Sequence, residues 1–252
     1  MSKRIDRVGE KYLTNQGYEI EIIEYFNRLK CTIIFKSGVI LKEIRYEHIV
    51  NGDVKNPKHP TVCGIGYLGI GKYEPYVGKK LTLLYNTWKH MLERAYYKLH
   101  QQKFPTYKDV TVCEEWHNFQ VFAKWHEENH KPHMAGWQLD KDILFKGNKI
   151  YSPETCCFVP AEINYIFVKA DSIRGKYPIG VHVDNRRNKY IATITLNNEP
   201  KHLGTFDTPE EAFQTYKIAK EEYIKEVADK WRGQITEPCY DAMYNYQVEI
   251  TD

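Results

Sequence analysis

The sequence predicts an α+β protein made of several small modules, and three observations point to it. Apolar and polar residues alternate in the first quarter of the chain, apolar residues recur at steps of three and four through the middle, and alternation returns in the last third. Clusters of Gly, Asn and Pro punctuate the alternating runs at hairpin spacing. At 252 residues the chain is long enough for two or three such modules.

The first module, residues 1–57, reads as short strands. Tyr18-Glu19-Ile20-Glu21-Ile22-Ile23 alternates, Cys31-Thr32-Ile33-Ile34-Phe35 is β-branched and apolar, and Val39-Ile40-Leu41 and Ile44 follow. Gln16-Gly17, Ser37-Gly38 and Asn51-Gly52 supply the turns. A small antiparallel β-barrel or curled sheet would bury this pattern. The next stretch, 58–79, carries Gly64, Gly66, Gly69 and Gly71 beside His59-Pro60, and reads as an irregular linker or strap.

Between 80 and 170 the period changes. Leu84, Trp88, Met91, Leu92, Ala95 and Leu99 fall on one helix face, and Trp116, Phe119, Phe122 and Ala123 on another. Gly147-Asn148 then marks a turn between two expected strands, Gln138 to Phe145 and Lys149 to Tyr151, with a short helix from about Ala161.

The last module, 171–252, is expected to be a three-stranded antiparallel sheet packed on one helix. Strands are predicted over Ile179–Val183, Lys189–Thr195 and Lys201–Phe206, joined by turns at Asn185-Arg186-Arg187-Asn188 and Asn197-Asn198-Glu199-Pro200. Thr208-Pro209-Glu210-Glu211 combines an N-cap, a proline suited to the first helical position and a capping-box glutamate. Ala212, Tyr216, Ala219, Tyr223, Val227 and Trp231 form the stripe that this helix should bury, and 237–246 reads as a final short helix.

No apolar run approaches the roughly 18–20 residues that cross a bilayer. Met1-Ser2-Lys3-Arg4 leads into charged residues, unlike a secretory signal. Six scattered cysteines without a C-x-x-C pair argue against a disulfide framework and for a reducing cytoplasm. A net charge of +3 says little, but Ser172 to Gly204 holds six basic residues against two acidic ones. A sheet with such a face can enter the major groove of double-stranded DNA, its outward side chains at base edges and its turn cations on phosphates. A solvated basic face is the plainer alternative.

Tyr177-x-x-Gly180-Val181, Lys189-Tyr190-x-Ala192-x-Ile194 and Leu203-Gly204-Thr205-Phe206-Asp207-Thr208-x-Glu210-Glu211-Ala212 resemble the plant ethylene-response-factor (APETALA-type) DNA-binding domain, whose relatives occur in endonucleases of phages and mobile elements. The resemblance covers about 173–231. It implies DNA contacts from His182, Lys189, Thr193, Thr195 and His202, to which the local charge adds Arg174, Lys176, Arg186, Arg187 and Lys201. His and Thr stand where the plant domain has Arg and Trp, so the plant sequence preference does not transfer.

The middle module has a second resemblance. Trp88-x-x-Met91-x-x-Arg94, Val112-Cys113-x-x-Trp116-x-x-Phe119-x-x-Phe122, Leu139-Asp140-Lys141-Asp142, Tyr151-x-Pro153-x-x-Cys156 and Glu162-x-Asn164 resemble HNH-type (His-Me finger) endonucleases of phages and mobile elements. Such a ββα domain holds one divalent metal. The resemblance implies Mg²⁺ or Mn²⁺ on Asp140 and Asp142, two residues expected to share a strand face, with Asp140, Lys141 and Asn164 in the catalytic set. Two residues depart from the pattern: Lys141 stands where the general-base His belongs, and Thr155 where an Asn belongs. His126, His130 and His133 read as solvated histidines at a helix end that could approach this site.

The expectation is therefore a phage or mobile-element protein that binds DNA in the nucleoid-bearing cytoplasm of a bacterial host, a homing-type, metal-dependent DNA endonuclease. The alternative is a catalytically inactive, sequence-specific DNA-binding regulator or host-interaction protein on the same scaffold. For the N-terminal module, holding DNA and binding a protein partner are both open.

Overall fold

A computed structural model of the chain describes residues 6–167, 176–196 and 199–250. Arg174 lies outside the described residues, as does part of the expected turn at Asn197-Asn198. The chain divides into two compact units, Met1–Glu93 with Glu114–Ala123, and Arg94–Cys113 with Lys124–Asp252. The α+β class is borne out.

In the first unit, β1 (Lys11–Leu13), β2 (Glu19–Asn27), β3 (Lys30–Phe35) and β4 (Ile40–Ile44) form an antiparallel meander in the order β1-β2-β3-β4. Ile20, Ile22, Cys31, Ile33 and Phe35 make its buried face. The sheet is open, so of the small barrel or curled sheet expected from the sequence the barrel does not form. Its core is completed by Ile49 of α1 (Tyr46–Val50) and by Val54, rather than by a strand returning to β1. The Gly-rich strap follows and ends in the hairpin β5 (Tyr76–Val77) and β6 (Lys80–Leu81). Gly66 is needed for close approach: a Cβ there would sit 2.3 Å from Leu92 Cδ1. Leu92 belongs to α2 (Leu83–Tyr96), which buries Trp88, Met91 and Leu92, and the Trp88 indole donates to the Trp116 carbonyl at 2.7 Å.

Leu99 was expected on the α2 stripe, but it is 61% exposed in α3 (Lys98–Lys103). The extended backbone of Tyr97 (φ −83°, ψ 106°) ends α2 before that stripe can continue.

The second unit holds β7 (Thr111–Val112), the part of α4 (Phe119–Asn129) that follows Ala123, β8 (Gln138–Asp140), β9 (Ile150–Tyr151), β10 (Cys157–Val159) and α5 (Ala161–Phe167). Here the strand expectations need correcting. β8 stops at Asp140 instead of running to Phe145, and its antiparallel partner is β10, not the 149–151 segment. That segment, β9, pairs in parallel with β7. The cause is Asp140: its Oδ1 accepts the N–H groups of Asp142 and Ile143 at 2.9 and 2.8 Å, which turns the chain out of the sheet.

The unit ends with β11 (Val181–Asp184), β12 (Lys189–Leu196) and β13 (Glu199–Phe206), then α6 (Pro209–Lys230) and α7 (Glu237–Tyr244). The three strands form one antiparallel sheet in chain order. The capping box forms as the sequence requires: the Glu211 N–H donates to the Thr208 hydroxyl, and the Thr208 N–H to the Glu211 carboxylate, each at 3.3 Å. Ala212, Tyr216 and Val227 are buried, with Ala219, Tyr223 and Trp231 packed at the margin. Gly180 (φ +74°) lies against Tyr216, where a Cβ would come within 2.0 Å of the ring. One apolar core runs from Ile143, Cys157, Val159 and Ile163 to Ile194, Phe213, Ile224 and Cys239, so the ββα layer of β8, β10 and α5 and the three-stranded sheet are built on a common interior.

Candidate nucleic-acid interface

Pairing across β11, β12 and β13 fixes which side chains share a face. His182 pairs with Ile191 and Ile191 with Thr205; Thr193 pairs with His202 and Thr195 with Pro200. Directly opposite residues project to the same side of a sheet. The other side carries Val181, Ala192 and Ile194, with Ala192 and Ile194 buried above α6. Register therefore brings His182, Lys189, Thr193, Thr195 and His202 to one outward face.

Ile191 and Thr205 share that face, and the sequence reading passed over both. Ile191 was accessible, since it alternates with Lys189 and Thr193. Thr205 was masked by a bulge at Ala192/Thr193, where one extra residue on β13 puts Thr205 and His202, three apart, on the same side.

Apart from Lys189, at the end of its strand, the cations sit around this face rather than within it. Arg186 and Arg187 are exposed in the β11–β12 turn, and Arg187 Nε lies 3.8 Å from Asp184 Oδ2. Asp184 Oδ1 accepts the Arg186 N–H at 3.0 Å, so one carboxylate shapes the turn that presents both arginines. Lys189 pairs with Asp207. Lys176 lies over the Tyr177 ring at 5.1 Å. Lys201 is exposed but pairs with Ile194, which puts it at the margin on the α6 side.

The Asp140 region is organised differently. The Lys141 ammonium is buried and contacts Asp142 Oδ2 at 2.9 Å and the Asn148 carbonyl at 3.2 Å. Asn148 answers by donating its side-chain amide to the carbonyls of Lys141 and Ile150, each at 2.7 Å. Asp142 has left the strand, so it does not share a strand face with Asp140. Burial and the neighbouring Asp142 carboxylate push the Asp140 carboxyl up to about 6, against the pull of its two N–H donors. Burial pushes the Tyr151 hydroxyl up, against the opposing pull of the nearby Arg94 guanidinium. Asn164, on α5, donates to the Gln138 side chain.

A divalent ion needs several oxygen lone pairs aimed at one point. Asp140 Oδ1 is taken by two N–H groups, and Asp142 Oδ2 by an ammonium whose charge would oppose a cation. As placed, these residues do not fit Mg²⁺ or Mn²⁺. Among the described residues no group of three or more His, Cys, Asp or Glu is arranged to hold a metal. The histidines do not join this region. His126 and His130 pack on Phe158 with ring centroids 4.9 Å away, and His133 Nε2 lies 3.4 Å from the Gln234 carbonyl. Burial, with His130 adding to it, pulls His126 down to about 4.

Among the described residues no helix is long and apolar enough to cross a membrane. Comparison with protein-family models, with curated proteins and with solved structures finds no match for this chain.

Proposed function

We propose that the protein binds double-stranded DNA through the outward face of β11, β12 and β13, and that the ββα layer beside it is a scaffold without hydrolytic activity. The observation that carries this reading is the convergence of His182, Lys189, Thr193, Thr195 and His202 on one face, with Arg186 and Arg187 exposed at its turn. Polar outward side chains suit base edges and peripheral cations suit phosphates. The ethylene-response-factor resemblance points to the same strands. The buried Lys141 ammonium, where an HNH-type enzyme has its base, supports the inactive alternative over the homing endonuclease. Six cysteines without a disulfide among them fit a reducing, DNA-containing cytoplasm.

Duplex binding measured across a salt series, with cleavage followed in the presence of Mg²⁺ or Mn²⁺, tests both halves of the proposal. The expected result is binding that weakens steeply with salt, at a log–log slope near −0.9 per neutralised phosphate, and no cleavage. Salt-independent or absent binding overturns the DNA reading. Metal-dependent cleavage that is lost in Asp140→Asn overturns the scaffold reading and restores the endonuclease.

A further inference from the structure

We propose that the outward face selects pyrimidines bearing a C5 methyl group, a group carried by thymine and by 5-methylcytosine. The inference rests on the DNA-binding reading above and adds what is read. Register puts four β-branched residues, Ile191, Thr193, Thr195 and Thr205, on this face, with Ile191 in a cross-strand row between His182 and Thr205. All four side chains carry a methyl group off a branched Cβ. Side chains that form bidentate pairs in the major groove are Arg or Lys for guanine and Asn or Gln for adenine, whereas apolar groups and the Thr methyl meet the thymine methyl. Among the described residues this face has no Arg, Asn or Gln, and its lysine, Lys189, pairs with Asp207 at the end of the strand. Ile191 can make no hydrogen bond to a base edge. It is half-buried amid the face, where an apolar group gains most by covering another apolar group.

The test uses four short duplexes at fixed salt: alternating A·T, the same with uracil for thymine, alternating G·C, and the same with 5-methylcytosine for cytosine. Removing a contacted methyl is expected to weaken binding about fourfold, the transfer free energy of one methylene. The A·T duplex should therefore bind about fourfold tighter than its uracil version for each methyl contacted. Ile191→Ala and Thr193→Ser should each shrink that ratio while leaving the salt slope unchanged, a readout that misfolding would not produce. A matching gain from 5-methylcytosine shows that the methyl is recognised on either base, and no gain restricts the site to thymine. Equal affinity for the A·T and uracil duplexes, with binding intact, overturns the inference. Failure to bind any of the four overturns the DNA-binding reading beneath it.

Discussion

Among the described residues, two antiparallel meanders share the same plan and differ in what their outer faces carry. Both bury one side under β-branched and aromatic residues, and both connect neighbouring strands in sequence order. On the N-terminal sheet the outer row runs Lys11, Glu21, Ile34, with Glu19 alongside, and Lys11 Nζ stands 3.7 Å from each carboxylate. Glu24 accepts a hydrogen bond from Thr32 at 2.6 Å. Such a face would meet a phosphate backbone with like charge. On the C-terminal sheet the outer rows are His182, Ile191, Thr205 and Thr193, His202, and the acidic Asp184 is occupied by its own turn. Topology alone cannot tell these sheets apart; what their outward side chains present does.

The largest test of that contrast removes a core residue from each sheet. Ile22→Ala and Ile194→Ala, both at fully buried positions, should each cost about 2–5 kcal/mol of stability by denaturant unfolding. Their effects on DNA should differ: Ile194→Ala is expected to lower the binding-competent fraction, and Ile22→Ala to leave affinity unchanged. If Ile22→Ala abolished binding, the division between the sheets would fail. Gly180→Ala should cost about 2–4 kcal/mol, because it adds a left-handed backbone penalty to a clash with Tyr216, and its loss of binding should track its unfolding.

A pH series probes the layer beside the C-terminal sheet. His126, held down near 4 in the folded state against 6.5 when exposed, contributes stability that is complete above 6.5 and is lost as pH falls toward 4. Asp140, raised to about 6 from 3.8, acts in the opposite sense: its contribution is complete below 3.8 and is lost as pH rises to 6. Each effect is on the order of 1–3 kcal/mol, so these two contributions oppose each other between pH 4 and 6. Asp140→Asn should expose the histidine slope, with stability falling on acidification, and His126→Phe the reverse. Identical slopes in both variants would show that neither group titrates as described.

Smaller still is the effect of the turn cations. Arg186→Gln with Arg187→Gln should reduce the salt slope by about one per lost phosphate contact, while Glu21→Gln leaves it unchanged.

What the sequence revealed was local. The capping box at Thr208–Glu211, the hairpin turn at Asn185–Asn188 and the alternation in β12 each depend on residues within a few positions of one another. Lys189, Thr193 and Thr195 share a face because β12 keeps period two, and pairing adds His182 from β11. An extra residue on β13 breaks the period there, which brings His202 to the face and hid Thr205. In the Asp140 region the outcome turns on a closed set of bonds among Asp140, Lys141, Asp142 and Asn148, and on pairing of β8 with a strand that begins at Cys157. Alternation carries no trace of such a loop, so an extended strand to Phe145 was the natural expectation. The common core joining Ile143 to Cys239 is a long-range fact of the same kind.

The central claim is that the outward face of the C-terminal sheet contacts duplex DNA and the outward face of the N-terminal sheet does not. Placing a carboxylate on each face tests it most directly, through duplex affinity of Thr193→Glu and Ile34→Glu at fixed salt, with both variants checked for folding. A charge a few ångströms from phosphate repels by at least about 1 kcal/mol even in water, and by more where water is excluded. Thr193→Glu should therefore weaken binding roughly tenfold or more, while Ile34→Glu stays within about twofold of wild type. Wild-type affinity in Thr193→Glu, or a loss confined to Ile34→Glu, would contradict the account.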